Sequence, residues 1–122
     1  MTDTPADFPL VVYVDVDDTL VRSVGHKQIP IAAAVDHIRA LRAGGAGLYC
    51  RSSGGGAYVR AVATALGLAD CFAGFLPKPH VMLDDQPAGE WRRLVTVHPA
   101  QREAESAATY RAALAAGRRT VG

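Results

Sequence analysis

The sequence lacks a hydrophobic run long enough to cross a membrane. Its longest run of bulky apolar residues, Leu10 to Val14, has five residues, far fewer than the roughly 20 that a transmembrane helix requires. Residues 1–9 contain neither a basic start nor an apolar stretch, which argues against a secretion signal. We therefore expect no membrane association and a cytoplasmic location.

The sequence also lacks a surplus of charge of either sign. Thirteen Lys and Arg residues against twelve Asp and Glu residues leave a formal charge of +1. No basic run is longer than Arg92-Arg93 or Arg118-Arg119. Non-specific binding to nucleic acid or to anionic membranes depends on a marked basic surface. We therefore do not expect a nucleic-acid partner.

Cysteine is scarce, with Cys50 and Cys71 each set among apolar residues. There is no Cys-x-x-Cys pair and no histidine at zinc-ligand spacing, so the pattern indicates neither a zinc site nor a redox motif. We interpret both residues as buried free thiols, with a disulfide or a redox or metal-binding role as the alternatives.

What the sequence does contain is an alternation of strand and helix patterns. The apolar run Leu10 to Val14 is typical of a strand that is buried on both faces of a parallel sheet. Apolar residues at helical spacing predict a helix that starts near Pro30 and ends at Gly44-Gly45, and a second helix that ends at Gly67. Further strands are predicted at 47–51, 72–76, 81–83 and 94–97, and a last helix from about Ala100 to Ala116.

This alternation favours a three-layer α/β/α sandwich with a mainly parallel, Rossmann-like sheet. The 122 residues, of which 49% are hydrophobic, provide one compact core but not two. We therefore predict a single domain over residues 1–122, with residues 1–8 flexible. In such folds the loops at the carboxyl ends of the strands carry the functional site.

Three carboxylates stand directly after the first predicted strand, in the segment Asp15-Val16-Asp17-Asp18-Thr19-Leu20. Like charges this close repel each other, so they require a cation or a shared proton. Such oxygen ligands suit Mg²⁺, which also accepts phosphate oxygens. The cluster therefore points to phosphate chemistry, although a single acid here would also serve as a turn or capping residue.

Three more polar segments occur in order along the chain: Ser52-Ser53-Gly54 after the second strand, Lys78 between two prolines, and Asp84-Asp85 after Val81 to Leu83. With the first acidic segment, they resemble the four motifs of the haloacid dehalogenase superfamily of phosphohydrolases. The resemblance covers about residues 10–86. Neither interval between the first three motifs has room for a cap domain, so the chain resembles a capless member.

The resemblance implies a role for each acidic residue. Asp15 would be the nucleophile that forms an aspartyl-phosphate, and Asp17 would be the general acid and then the base. Asp15, Asp17 through its backbone carbonyl, and Asp84 with Asp85 would hold Mg²⁺. An acidic pair in a turn is the structural alternative for Asp84 and Asp85.

The remaining motif residues would hold the phosphate. Ser52 is the preferred motif hydroxyl with Ser53 as its close competitor, and Lys78 would neutralise phosphoryl oxygens. The amides of the glycine turn that starts at Gly54 would assist. Arg51 is either a second phosphate-binding cation or the partner of a surface acid.

The sequence thus predicts a Mg²⁺-dependent phosphatase for phosphate monoesters of small molecules or macromolecules. A phosphotransferase that uses the same intermediate is an alternative. So is a non-catalytic or receiver-like regulatory domain, although the acceptor aspartate of a receiver is missing where Cys50 to Ser53 stand. Without a cap, the site is either open to a large partner or closed by a second subunit. His26 and Lys27 belong either to a flap over this site or to a solvated loop.

Overall fold

Strands and helices alternate in the described part of the computed structural model, which comprises residues 9–100 and 106–119. The expectation that residues 1–8 are flexible lies outside these ranges. The strands are β1 (Val11–Asp15), β2 (Val21–Val24), β3 (Lys27–Pro30), β4 (Gly47–Ser52) and β5 (Gly74–Pro77). The α-helices are α1 (Ala32–Ala43), α2 (Gly56–Ala65) and α3 (Ala107–Ala115), and short 3₁₀ turns occur at Ala69–Cys71 and Ala88–Glu90.

The strands β1, β4 and β5 form a parallel sheet in that order. The connections between successive strands contain α1 and α2, as parallel pairing requires a crossover. In the register, Tyr49 lies between Tyr13 and Gly74, and Ser52 pairs with Pro77. The prediction of an α/β fold with a parallel sheet is therefore confirmed.

The core lies where α1 and α2 meet the sheet. Both helices bury one apolar stripe at helical spacing, which is why the sequence pattern identified them. The buried residues of these elements are Ala34, Ile38 and Leu41 of α1, Val59, Val62 and Ala63 of α2, and Leu48, Cys50 and Ser52 of β4. Both cysteines are free, as expected, but only Cys50 is buried, whereas Cys71 is half-buried.

The prediction that β1 is buried on both faces is wrong for the described residues. Val14 is buried, whereas Val11 and Tyr13 are 59% and 53% exposed. Alternate residues of a strand point to opposite faces, so the apolar run is covered on one face only. Apolar composition cannot show how many faces are covered, because that depends on the neighbouring elements.

A β-hairpin formed by β2 and β3 separates the acidic segment from α1. The two strands pair antiparallel, with Val24 opposite Lys27, and Gly25 adopts a positive φ of 61° at the turn. His26 and Lys27 are exposed at this turn. The segment is therefore an ordered hairpin rather than an irregular loop.

The strands predicted at 81–83 and 94–97 are wrong, because neither segment forms a strand in the structure. Val81, Met82 and Leu83 are all exposed. Pro79 has no N–H group to donate, and the apolar run is only three residues long. A segment this short adopts a strand conformation only when it pairs with another strand.

The last helix is shorter in the structure than predicted. It begins after Ser106, whose hydroxyl accepts a hydrogen bond of 3.2 Å from the Thr109 N–H. It packs against α1, where the His37 and Tyr110 side chains lie 2.8 Å apart. The predicted residues 101–105 of this helix lie outside the described ranges. Within those ranges, no helix has both the length and the apolar character that a membrane span requires.

Candidate functional site

The acidic segment after β1 forms a tight turn that is anchored by two buried residues. Val16 and Leu20 are buried, and the Leu20 N–H donates to the Val16 carbonyl at 2.9 Å. Asp18 adopts a positive φ of 60°, a conformation that aspartate tolerates better than most residues. The turn keeps Asp15 and Asp17 close to the carboxyl end of β1.

Asp15 is held by two neighbours, one for each carboxylate oxygen. Its Oδ1 lies 3.1 Å from the Lys78 Nζ, and its Oδ2 accepts a hydrogen bond of 3.3 Å from the Thr19 hydroxyl. Lys78 follows β5 directly, and its backbone N–H donates to the Ser52 carbonyl at 3.0 Å. The parallel register therefore brings the predicted lysine to the predicted nucleophile.

Ser52 contributes a buried hydroxyl at the end of β4, between β1 and β5. Its Oγ lies 3.4 Å from the Asp17 Oδ2 and accepts a hydrogen bond of 3.1 Å from the Gly54 N–H. Ser53 is exposed. Of the two candidate serines, Ser52 is the one whose side chain reaches the cluster. We name Asp15, Asp17, Ser52 and Lys78 the acidic cluster.

Two residues of this site were missed by the sequence analysis. Tyr58 of α2 donates its hydroxyl proton to the Asp17 Oδ1 at 2.8 Å, and the Gln28 amide of β3 donates to the Tyr58 oxygen. Partial burial, followed by the hydrogen bond to Asp17, raises the pKa of the Tyr58 hydroxyl. The phenol therefore remains a donor at neutral pH.

The glycine turn before α2 makes room for Tyr58. A Cβ at Gly54 would lie 2.7 Å from the Tyr58 ring, a distance that real side chains do not adopt. The only signal in the sequence was thus an aromatic residue shortly after three glycines. The partners of Tyr58, Asp17 and Gln28, lie 41 and 30 positions away in the sequence. Contacts over such separations leave no local sequence pattern.

Within the described residues Arg51 packs on an aromatic ring rather than pairing with a surface acid, and its role as a second phosphate-binding cation stays a prediction. Its guanidinium lies over the Tyr13 ring, 5.4 Å from the ring centre, which is a cation–π distance. Tyr13 in turn contacts Tyr49 on β4, with ring centres 5.5 Å apart. Arg51 therefore packs on the exposed face of the sheet beside Asp15.

Asp84 and Asp85 are not brought into the acidic cluster in the described structure. Both are exposed, and the Asp84 Oδ1 accepts a hydrogen bond of 3.0 Å from the Gln86 N–H, which is a local turn contact. Among residues 9–100 and 106–119, no three His, Cys, Asp or Glu side chains form a group that could hold a metal. Their assignment to a metal site stays a prediction.

Cys50 lies below the cluster in the core. Its burial, and then the negative charge of Asp15, raise the pKa of the Cys50 thiol to about 12. A thiol with so high a pKa is neutral and unreactive at physiological pH. Cys50 therefore acts as a core residue rather than as a nucleophile.

An open groove of about 820 Å³ connects the acidic cluster with the side of β1. Asp15, Thr19 and Lys78 line it together with Val11, Tyr13 and residues 93–99. This volume is in the usual range of ligand sites. A group much larger than phosphate can therefore reach Asp15.

Two carboxylates, a lysine and a buried hydroxyl thus meet at the carboxyl ends of three parallel strands. Searches with protein-family models, among curated proteins and among solved structures found no match to this chain. The resemblance to the haloacid dehalogenase superfamily therefore stays a prediction from the sequence motifs.

Proposed function

We propose that this chain is a Mg²⁺-dependent phosphohydrolase that cleaves phosphate monoesters through an aspartyl-phosphate on Asp15. The contact between the Lys78 Nζ and the Asp15 Oδ1, at 3.1 Å, carries the proposal. The pair is partly exposed, so it contributes little to stability. A lysine held at this position by the parallel register is instead well placed to neutralise a phosphoryl group.

In the first step, an Asp15 carboxylate oxygen attacks phosphorus while the bond between phosphorus and the ester oxygen breaks. The leaving oxygen takes a proton from Asp17. In the second step, Asp17 takes a proton from water, the water oxygen attacks phosphorus, and inorganic phosphate leaves Asp15. Asp17 follows Asp15 by two positions in the turn, which suits this division of roles.

The phosphoryl oxygens would be held by Lys78, by the Ser52 hydroxyl and by amides of the turn that contains Ser53 and Gly54. These donors come from the ends of β4, which pairs with β1, and of β5, which pairs with β4. A compact ammonium and preorganised donors favour the charge that develops on a transferring phosphoryl group. This arrangement explains why Ser52 is buried while it remains polar.

The donor set of the turn fits Mg²⁺, since this ion takes one or two carboxylates and keeps several waters. Asp15 would supply a carboxylate oxygen and Asp17 its backbone carbonyl. When bound, Mg²⁺ would neutralise charge on the phosphoryl group. Asp84 and Asp85 would join this site only if the exposed segment 79–87 lies against it.

We also propose the finer architecture that the resemblance implies: a three-layer sandwich without a cap domain, active in the cytoplasm. The parallel order β1-β4-β5 with the crossover helices α1 and α2 supports the layered architecture. A large phosphorylated partner, or a second copy of the chain, would then shield the open groove beside Asp15.

The test is release of phosphate from p-nitrophenyl phosphate and from a panel of metabolite and peptide phosphates. Wild type is compared with Asp15→Asn, with Mg²⁺ and with a chelator. We expect Mg²⁺-dependent turnover that falls by more than about 10³-fold in Asp15→Asn, since a nucleophile has no substitute. Asp18→Asn is the matched control, because asparagine tolerates the positive φ of this exposed residue.

Full activity of Asp15→Asn would overturn the proposal. Metal binding without turnover of any phosphate would instead favour a non-catalytic domain. Transfer of phosphate to an added alcohol rather than to water would identify a phosphotransferase.

A further inference from the structure

Asp17 is exposed, yet each oxygen of its carboxylate lies near a hydroxyl group of another element. Its Oδ1 accepts the Tyr58 hydroxyl proton at 2.8 Å, whereas its Oδ2 lies at the longer distance of 3.4 Å from the Ser52 Oγ. The two oxygens of one carboxylate are therefore not equivalent. Oδ1 is held by the short hydrogen bond from Tyr58, so Oδ2 is the oxygen that is left for proton transfer.

The direction of the contact between Tyr58 and Asp17 is set by a third residue. A phenol has one proton to donate and lone pairs to accept with. Because the Gln28 amide donates to the Tyr58 oxygen, the single phenol proton is directed to Asp17. The chain of donors runs from Gln28 through Tyr58 to Asp17.

These three residues come from three different elements. Gln28 lies on β3 of the hairpin, Tyr58 on α2, and Asp17 in the turn after β1. The Tyr58 ring packs against Gly54, at the place that a Cβ of this residue would occupy. The hairpin therefore acts on the Asp17 carboxylate through Tyr58 of α2.

We propose that Tyr58 and Gln28 are positioning residues, which hold Asp17 so that its Oδ2 delivers the proton to the leaving oxygen. This inference depends on the proposed function. Tyr58 binds Oδ1 and prevents rotation of the carboxylate, and Gln28 prevents Tyr58 from turning its proton elsewhere. The hairpin thereby acts on the proton transfer without touching the substrate.

The test uses the proton demand of the leaving group. A p-nitrophenolate leaves without a proton, whereas an alkoxide needs one from a general acid. The ratio of kcat/KM for an alkyl phosphate to kcat/KM for p-nitrophenyl phosphate therefore reports how well Asp17 acts as an acid. kcat/KM is used because it reports the first phosphoryl transfer rather than hydrolysis of the intermediate.

We expect Tyr58→Phe to lower kcat/KM for the alkyl phosphate by about tenfold and for p-nitrophenyl phosphate by less than about twofold, since general acids contribute roughly 10² to 10⁴. Gln28→Glu should reproduce this pattern, because a carboxylate there accepts the Tyr58 proton in place of Asp17. Tyr49→Phe, which removes a hydroxyl elsewhere on the sheet, should leave the ratio unchanged.

Equal losses on both esters, or no loss on either, would overturn the inference and leave the proposed function intact. Absence of Mg²⁺-dependent turnover in the wild type with both esters would overturn the proposed function, and this inference with it. Asp17→Asn sets the upper limit of the ratio change, because it removes the acid itself.

Discussion

Residues 9–78 and residues 79–100 have similar apolar patterns but different structures. The first region contains the parallel sheet, both of its crossover helices and the acidic cluster. The second contains Val81 to Leu83 and Leu94 to Val97, which alternate with polar segments in the same way, yet neither forms a strand. Strand propensity therefore becomes strand structure only where a paired neighbour supplies the hydrogen bonds.

The edge of β1 that faces away from β4 also shows that strand pairing depends on the neighbouring elements. The Leu10 carbonyl accepts a hydrogen bond of 2.8 Å from the Gly47 N–H. Backbone groups of a strand alternate in direction, so those of Val12 and Val14 face β4 while those of Val11 and Tyr13 face away. Within the described residues, no strand pairs with that side.

The largest expected difference between the two regions concerns thiol reactivity. Cys50 is buried with a thiol pKa of about 12, and each pKa unit lowers the thiolate fraction tenfold, so we expect it to react at least about 10³-fold more slowly than a free thiol. A Leu83→Cys substitution, at a position that is 99% exposed, should react at the rate of a free thiol. Both rates are measured with a chromogenic disulfide in a Cys71→Ser background.

Stability should show the next largest contrast. Leu48 is 1% exposed in the core, so we expect Leu48→Ala to lower the free energy of unfolding by about 2 to 5 kcal/mol. Leu83→Ala should change it by less than about 0.5 kcal/mol, because it leaves no cavity. Chemical denaturation measures both, and a large loss in Leu83→Ala would show that segment 79–87 packs in solution.

Lys78 stands at the boundary between the two regions and should affect activity more than stability. Lys78→Met keeps the apolar stem but removes the charge beside Asp15, and we expect kcat to fall by about 10²-fold, as for loss of one preorganised donor. Lys27→Met, at the exposed hairpin turn, serves as the control. Unchanged turnover in Lys78→Met would mean that the ion pair with Asp15 is a surface contact only.

The smallest predicted effect tests whether the second region contributes to the site. We expect Asp84→Asn and Asp85→Asn to raise the Mg²⁺ concentration for half-maximal activity by about tenfold, as removal of metal-site partners does. Asp70→Asn, another exposed acid, should have no effect. An unchanged Mg²⁺ requirement would assign the metal to Asp15 and Asp17 without help from residues 79–100.

Most of the first region could be predicted because its signals are local. The buried stripes of α1 and α2 recur at helical spacing, and β4 and β5 match their predicted segments to within two residues at either end. The contact of Lys78 with Asp15 also follows, since polar residues after neighbouring parallel strands meet at one edge of the sheet. Whether segments 81–83 and 94–97 form strands could not be predicted in this way, because strand pairing is not a local property.

The sequence by itself determined which groups stand at the end of each strand or directly after it: carboxylates for β1, a hydroxyl for β4 and an ammonium for β5. Strand and helix periodicity is encoded within a few residues, so this order is readable without coordinates. Only the tertiary structure decided that one face of β1 is exposed, that Tyr58 reaches Asp17, and that Gln28 reaches Tyr58. Those features depend on the packing of a hairpin, a helix and a turn that are distant in the chain.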